Sequence, residues 1–148
     1  MGGHGFRDEP HLHGPPEGRS NERRSWDGVP DELARPNLLP ADFFNADEAP
    51  RARGAVLLTP GSGVAVSADQ DNPAGALVRF GDINPSSVEQ FRTFSPERLF
   101  SPIGSNVVNL RFYVPGTDTP AAVRGFGAVY TDIDRPENTA FEYFPLPG

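Results

Sequence analysis

There is no cysteine in this chain and no lysine either: its 13 basic residues are all arginine. The first absence excludes disulfides, thiolate metal sites and cysteine nucleophiles, and it is neutral on compartment. The second leaves an acidic molecule of net charge −7 with no basic run to follow a phosphate backbone. Nucleic acid and anionic membrane surfaces are therefore poor partners. No apolar run approaches the roughly 18 residues needed to span a bilayer. Met1 is followed by glycine, histidine and charged residues, so no secretory signal is visible. Histidine is confined to His4, His11 and His13. Beyond them, Ser–His and His–metal chemistry have no residue to run on.

What is abundant is turn chemistry. With 16 glycines, 17 prolines and 36% hydrophobic residues, short strands joined by tight turns fit better than long helices. Residues 1–24 mix glycine, proline and both charge signs without apolar periodicity, and are expected to form a flexible arm. On it, His11 and His13 make at most an adventitious metal site. Residues 25–52 carry Pro30, Pro36 and Pro40 too close together for a helix, and Trp26, Leu38, Leu39, Phe43 and Phe44 are apolar enough to pack onto something. They read as an extended segment packing on a sheet. Residues 53–148 read as the β-sandwich domain.

Within that domain, RGAVLLT (Arg53 to Thr59), Pro60-Gly61 and GVAVS (Gly63 to Ser67) read as a hairpin or a bulged strand. A short strand is expected in LVRFGDI (Leu77 to Ile83). SSVEQFRTF (Ser86 to Phe94) suits a turn or two of helix, capped by Ser86 or Ser87, with Val88 and Phe91 inward. In NVVNLRFYV (Asn106 to Val114) the alternation is plain: Val108, Leu110, Phe112 and Val114 on one face, Val107, Asn109, Arg111 and Tyr113 on the other. AVRGFGAVYTDID (Ala122 to Asp134) reads as a long central strand, its Gly125 and Gly127 admitting a neighbouring layer. TAFEYF (Thr139 to Phe144) reads as the last strand. Phe112 and Phe126 are the expected core.

Taken together, WDGVPD, FFN, RGAVLLTPGSGVAVSAD, FSPERLFSPIGSNV and FYVPGTDTPAAVRGFGAVYTDID…FEYF resemble a group of uncharacterised, exported bacterial β-sandwich proteins. The likeness runs from about Arg24 to Phe144, and the block from Phe94 to Asp134 is its most specific part. It implies a fold and an extracellular or cell-surface location rather than an activity. Two departures stand out. Arg24-Ser25 occupies the place where the group carries Ile-Asn, and the chain ends soon after FEYF, where the group continues with further strands. The resulting expectation is an all-β chain: an antiparallel β-sandwich, jelly-roll-like, short of its C-terminal strands. A jelly roll uses about eight strands, and six or seven are visible. The bare edge that remains is filled either by Ser25 to Asn45 folding back or by a second copy adding strands.

Three sets of residues are candidates for function. Asp132 and Asp134 share a strand face about 7 Å apart, and Asp69 and Asp71, with Asn72, repeat that spacing in a loop. Calcium takes about six to eight oxygens, which the two segments would supply if they met. An ordinary loop and turn exit is the simpler account of the same residues. Tyr113, beside Arg111 and Asn109, offers an aromatic ring with hydrogen-bonding neighbours, a platform for a glycan. Trp26, Tyr130 and Tyr143 are the other rings that could stack on a sugar. Arg98, in SPERLFSP, reads as a structural arginine fixing loop carbonyls. No G-x-S-x-G elbow is present, and Glu89, Glu97 and Glu142 have no context that would make them a catalytic pair. The chain thus reads as a non-catalytic binding or surface module with a glycan ligand, or as an assembly protein that self-associates through sheet edges. If Asp132, Asp134, Asp69 and Asp71 hold calcium, the melting temperature rises with free calcium by mass action. Melts in calcium and in chelator that superimpose would remove the ion from the account.

Overall fold

Regular structure is almost all strand: β1 (Phe44–Asn45), β2 (Ala52–Leu58), β3 (Gly63–Val66), β4 (Phe100–Ile103) and β5 (Asn109–Phe112). Among the described residues, a 3-10 turn at Asp31–Leu33 and a short helix, α1 (Ser87–Gln90), complete it. The computed structural model describes residues 26–68, 72, 74–91, 98–131, 135, 137 and 139–145. The chain is all-β, with two antiparallel sheets ordered β1-β2-β5 and β3-β4. Among the described residues no helix is long and apolar enough to cross a membrane.

RGAVLLT and GVAVS both form strands, yet they do not form a hairpin. β2 has both edges occupied: Leu57 N–H donates to Ala41 C=O (2.8 Å) on one side, and Tyr113 N–H donates to Gly54 C=O (2.7 Å) on the other. The chain therefore turns at Pro60-Gly61 into the second sheet, where Ser62 N–H donates to Ile103 C=O (2.7 Å). Gly61 is required there, because a Cβ would lie 2.2 Å from the Ile103 carbonyl oxygen. A second glycine shapes β2 itself. Gly54 takes a left-handed φ of 64°, a Cβ on it would stand 2.0 Å from the Tyr113 carbonyl oxygen, and the pairing with β1 is irregular beside it.

The proline-rich segment from Trp26 to Pro50 supplies much of the interior. Arg35 N–H donates to Val66 C=O and Leu39 N–H to Val64 C=O, both at 2.8 Å, so the segment runs along β3 before giving β1 to β2. Pro36 falls between these donors, and Pro30 and Pro40 to either side of them, where no N–H is needed. One core cluster takes Val29, Leu39, Phe43 and Phe44 from this segment, Ala55 from β2 and Val66 from β3. Trp26, Leu57, Phe100, Leu110 and Phe112 pack against it, so a single apolar interior draws on both sheets.

Several expectations fail, and each failure has a cause. Val78 makes only an isolated parallel bridge to Ala68; Arg79 and Phe80 then adopt left-handed angles, φ 45° and 60°, which end any strand in LVRFGDI. The helix does form as expected, a single turn with Ser86 at its N-cap, although Ser86 makes no side-chain capping bond. β5 keeps the expected alternation, with Leu110 and Phe112 half-buried and Asn109 and Arg111 exposed, but it begins at Asn109 rather than Asn106. After β5 the chain turns back, Val114 N–H donating to Thr119 C=O (2.8 Å) and Ala121 N–H to Phe112 C=O (2.9 Å). There the ladder stops. No strand forms over the described residues 122–131 or 139–145, against the expected central and final strands. Gly125 and Gly127 admit no neighbouring layer, since a Cβ on either would meet nothing within 4 Å. An apolar run makes a strand only where a paired edge and a second layer receive it. Phe126 and Phe112 are consequently half-buried, and Phe44, at 1% exposure, is the true centre of the core.

Arg98 is buried and its side chain converges on three acceptors: Ser67 C=O (3.1 Å), Val29 C=O (2.7 Å) and the Asp31 carboxylate (2.8 Å). Its backbone N–H donates to the Asp27 carboxylate at 3.1 Å. Replacing Arg98 by alanine strands the Asp31 charge and those carbonyls. The expected cost is about 3–5 kcal/mol, read by urea denaturation; a variant within about 1 kcal/mol of wild type would show that the network carries little.

Candidate functional site

The outer face of the first sheet carries the residues expected to form a glycan platform. The register pairs Leu58 with Asn109 and Val56 with Arg111, and extends to Gly54 opposite Tyr113. Period-two alternation therefore puts Asn109, Arg111 and Tyr113 on one face, flanked by Val56 and Leu58. Asn109 and Arg111 are exposed, whereas Tyr113 is half-buried and held by a bridge to Pro120. The face thus presents an amide and a guanidinium freely and the phenol ring only in part. Trp26, Tyr130 and Tyr143 do not join it.

On the other side of the sheet is a cleft that sequence reasoning missed. It encloses about 410 Å³, walled by Trp26, Arg53, Phe112 and Phe126, with Gly125 and Gly127 also in its lining. Trp26 sits edge-on to Phe44 (4.6 Å between ring centres) and to Phe126 (6.1 Å), and Phe112 lies 5.9 Å from Phe126. The Arg53 guanidinium stands over Trp26 at 5.0 Å and over Phe44 at 5.7 Å. Cation–π attraction of this kind contributes about 0.5–2 kcal/mol according to exposure. Chemically the cleft suits a flat or apolar group against one cation. Nothing local marks Arg53 in the sequence, because its ring partners lie 27 residues before it (Trp26) and 9 before it (Phe44).

A third feature is the apolar exterior. Downstream of β4, Val107, Val108, Val114, Val123, Val129, Tyr130, Phe141, Tyr143 and Phe144 are exposed, Tyr143 at 72% and Phe144 at 79%. The rings hold one another rather than a core: Phe141 lies 6.0 Å from Phe126, 5.4 Å from Tyr130 and 6.2 Å, stacked, from Tyr143. Tyr143 donates its hydroxyl to Phe126 C=O at 2.8 Å. Isolated exposed apolar residues are normal on a protein surface, whereas the rings of Tyr130, Phe141 and Tyr143 are exposed and clustered together.

Asp69, Asp71, Asp132 and Asp134 lie outside the described residues. Asn72, beside the first pair, spends its side chain on its own loop, accepting from Ala76 N–H (2.8 Å) and donating to Ala76 C=O (3.2 Å). Among the described residues no group of three or more His, Cys, Asp or Glu could hold a metal ion. The chain matches no family model, no curated protein and no solved structure.

Trp26 is the only tryptophan, so its fluorescence reports on the cleft. Arg53→Ala uncovers the indole face and should shift its emission to the red and increase acrylamide quenching. Unchanged emission and quenching would mean that the guanidinium does not cover the ring.

Proposed function

We propose that this chain is a non-catalytic interaction module, a β-sandwich of jelly-roll type working outside the cell or at its surface, whose partner is another protein chain. The observation that supports this reading most is the exposed apolar set between Val107 and Phe144. Water contact with so much valine and aromatic surface is unfavourable by about 25 cal/mol for each Å². A protein partner removes that contact, and a second copy of the chain is the partner always at hand. In this reading the protein self-associates through the sheet edges that its own chain leaves open.

A glycan ligand is the second reading, supported by the exposed Asn109 and Arg111 beside Tyr113. Sugar recognition combines ring stacking with hydrogen bonds to hydroxyls, and this face offers both. Half-burial of Tyr113 leaves it the weaker case. Calcium at Asp132 and Asp134, with Asp69 and Asp71, would be a structural ion under either reading.

Light scattering across a concentration series tests the first reading. The mass should rise above that of one chain, and Tyr143→Ser with Phe144→Ser should push the rise to higher concentration. A mass of one chain throughout overturns self-association. Retention on insoluble polysaccharide that is lost in Arg111→Ala and Tyr113→Ala would move the assignment to glycan binding.

A further inference from the structure

We propose that two copies of the chain join through β5, antiparallel, with Asn109 of each on the two-fold axis. This rests on the self-association reading and adds to it the partner, the strand and the register.

The backbone shows which groups of β5 are open. Tyr113 N–H donates to Gly54 C=O (2.7 Å), so Asn109, Arg111 and Tyr113 direct their N–H and C=O groups towards β2. Val108, Leu110 and Phe112 therefore direct theirs off the sheet. Phe112 C=O confirms the phase, accepting from Ala121 N–H at 2.9 Å. Beyond Phe112 the edge is covered by that return of the chain. At Leu110 and Val108 no backbone bond forms among the described residues. Val107 and Val108 beside them are 46% and 43% exposed. Arg111 is the only charged residue from Asn106 to Val114, in a chain with 20 acidic residues, and no proline guards the stretch. Natural edges are normally blunted by charge, proline or a bulge.

The chain's own continuation is the nearest competitor for this edge. If the return ran on past Ala121 in its register, Val123 would pair with Leu110, Arg124 with Asn109 and Phe126 with Val107 on the outer face. Phe126 instead packs on Phe112 and Trp26 of the inner side, at 5.9 and 6.1 Å, and its carbonyl accepts from Tyr143. Those contacts hold the segment away from the edge.

For a second copy, side-chain alternation and charge select the register. Residues that share a face must pair, so a central residue faces itself across the axis. Centring on Arg111 opposes two guanidinium groups directly, which is destabilising. Centring on Leu110 drives the second copy into Phe112, whose carbonyl is occupied, and centring on Val108 sets Leu110 opposite Asn106, a bend residue outside β5. Centring on Asn109 pairs Val108 with Leu110 of the second copy and Val107 with its Arg111. That register uses every open backbone group, separates the two arginines, covers both exposed valines and faces one amide with the other.

Because the chain has no cysteine, Asn109→Cys introduces a single thiol. The axial pair is a non-hydrogen-bonded one, with Cα atoms about 4.5 Å apart, within the disulfide range of about 4.4–6.8 Å. Mild oxidation should give at least about tenfold more covalent dimer than Glu32→Cys, an exposed site on the 3-10 turn, because pairing raises the local thiol concentration. Val108→Lys, placed in the Asn109→Cys chain, should abolish the cross-link and leave the melting temperature unchanged at concentrations low enough for the reduced chain to be a monomer. Oligomers in solution without a cross-link at position 109 overturn this register and leave the assembly reading standing. A monomer at every concentration overturns both. An internal disulfide in Asn109→Cys/Arg124→Cys, in place of the dimer, would show that the chain covers its own edge and would also overturn the proposal.

Discussion

Arg98 carries a full charge into an interior where, unpaired, it would cost several kcal/mol. Three acceptors meet it there: a carbonyl at Val29, a carbonyl at Ser67 and the carboxylate of Asp31. Guanidinium suits this arrangement because its donors radiate in fixed directions from one plane, which a lysine ammonium does not provide. Arg98, on the approach to β4, thereby ties together the turn after Trp26 and the end of β3. Ser67 reinforces the junction, its N–H donating to Leu99 C=O (2.9 Å) and its hydroxyl accepting from Leu99 N–H (3.0 Å). Once Val29 and Asp31 are tied to this point, the proline-rich segment has little choice of path. Leu39 reaches β3, Phe44 enters the core, and Trp26 comes to rest under Arg53.

That arrangement divides the molecule. Among the described residues, Trp26 to Ala68 supply nearly all of the buried side chains, with Phe80, Ser87 and Arg98 the additions. Residues beyond β5 supply aromatic rings that touch one another and water. The same property, apolar side chains in quantity, is therefore spent on stability in the first region and left available for contact in the second. The cleft of Trp26, Arg53, Phe112 and Phe126 lies where the two regions meet, and the open edge of β5 lies beside it. Both candidate surfaces result from the ladder ending at Ala121, which leaves one side of the sheet without a covering strand.

The period-two pattern of Leu110 and Phe112 against Asn109 and Arg111 was legible because a half-buried strand writes its two faces into alternate residues. The structural part of Arg98 was legible too, because a guanidinium set in the loop SPERLFSP is suited to fixing carbonyls. By contrast, Ala122 to Tyr130, apolar on both faces as a central strand would be, forms no strand. The pattern states what a segment would do given a neighbour, and it is silent on whether one arrives. The prolines at 30, 36 and 40 misled in the opposite direction. They spoil a continuous ladder, but they spare the donors at Arg35 and Leu39, and those are enough to edge β3.

From the sequence alone came the all-β class, the exclusion of cysteine chemistry, the acidic charge and the faces of β5, all of which depend on composition or on residues within a few positions of one another. Pairing of β2 with β5 rather than β3, convergence of Asp27, Val29, Asp31 and Ser67 on Arg98, and stacking of Arg53 on Trp26 were decided only by the tertiary structure. Each of these joins groups far apart in the chain, and their energy exists only when desolvation and geometry are satisfied together. Local propensity can permit such contacts, but it cannot choose among them. That choice belongs to the packed chain, where an occupied edge on β2 excludes one partner and a buried charge requires another.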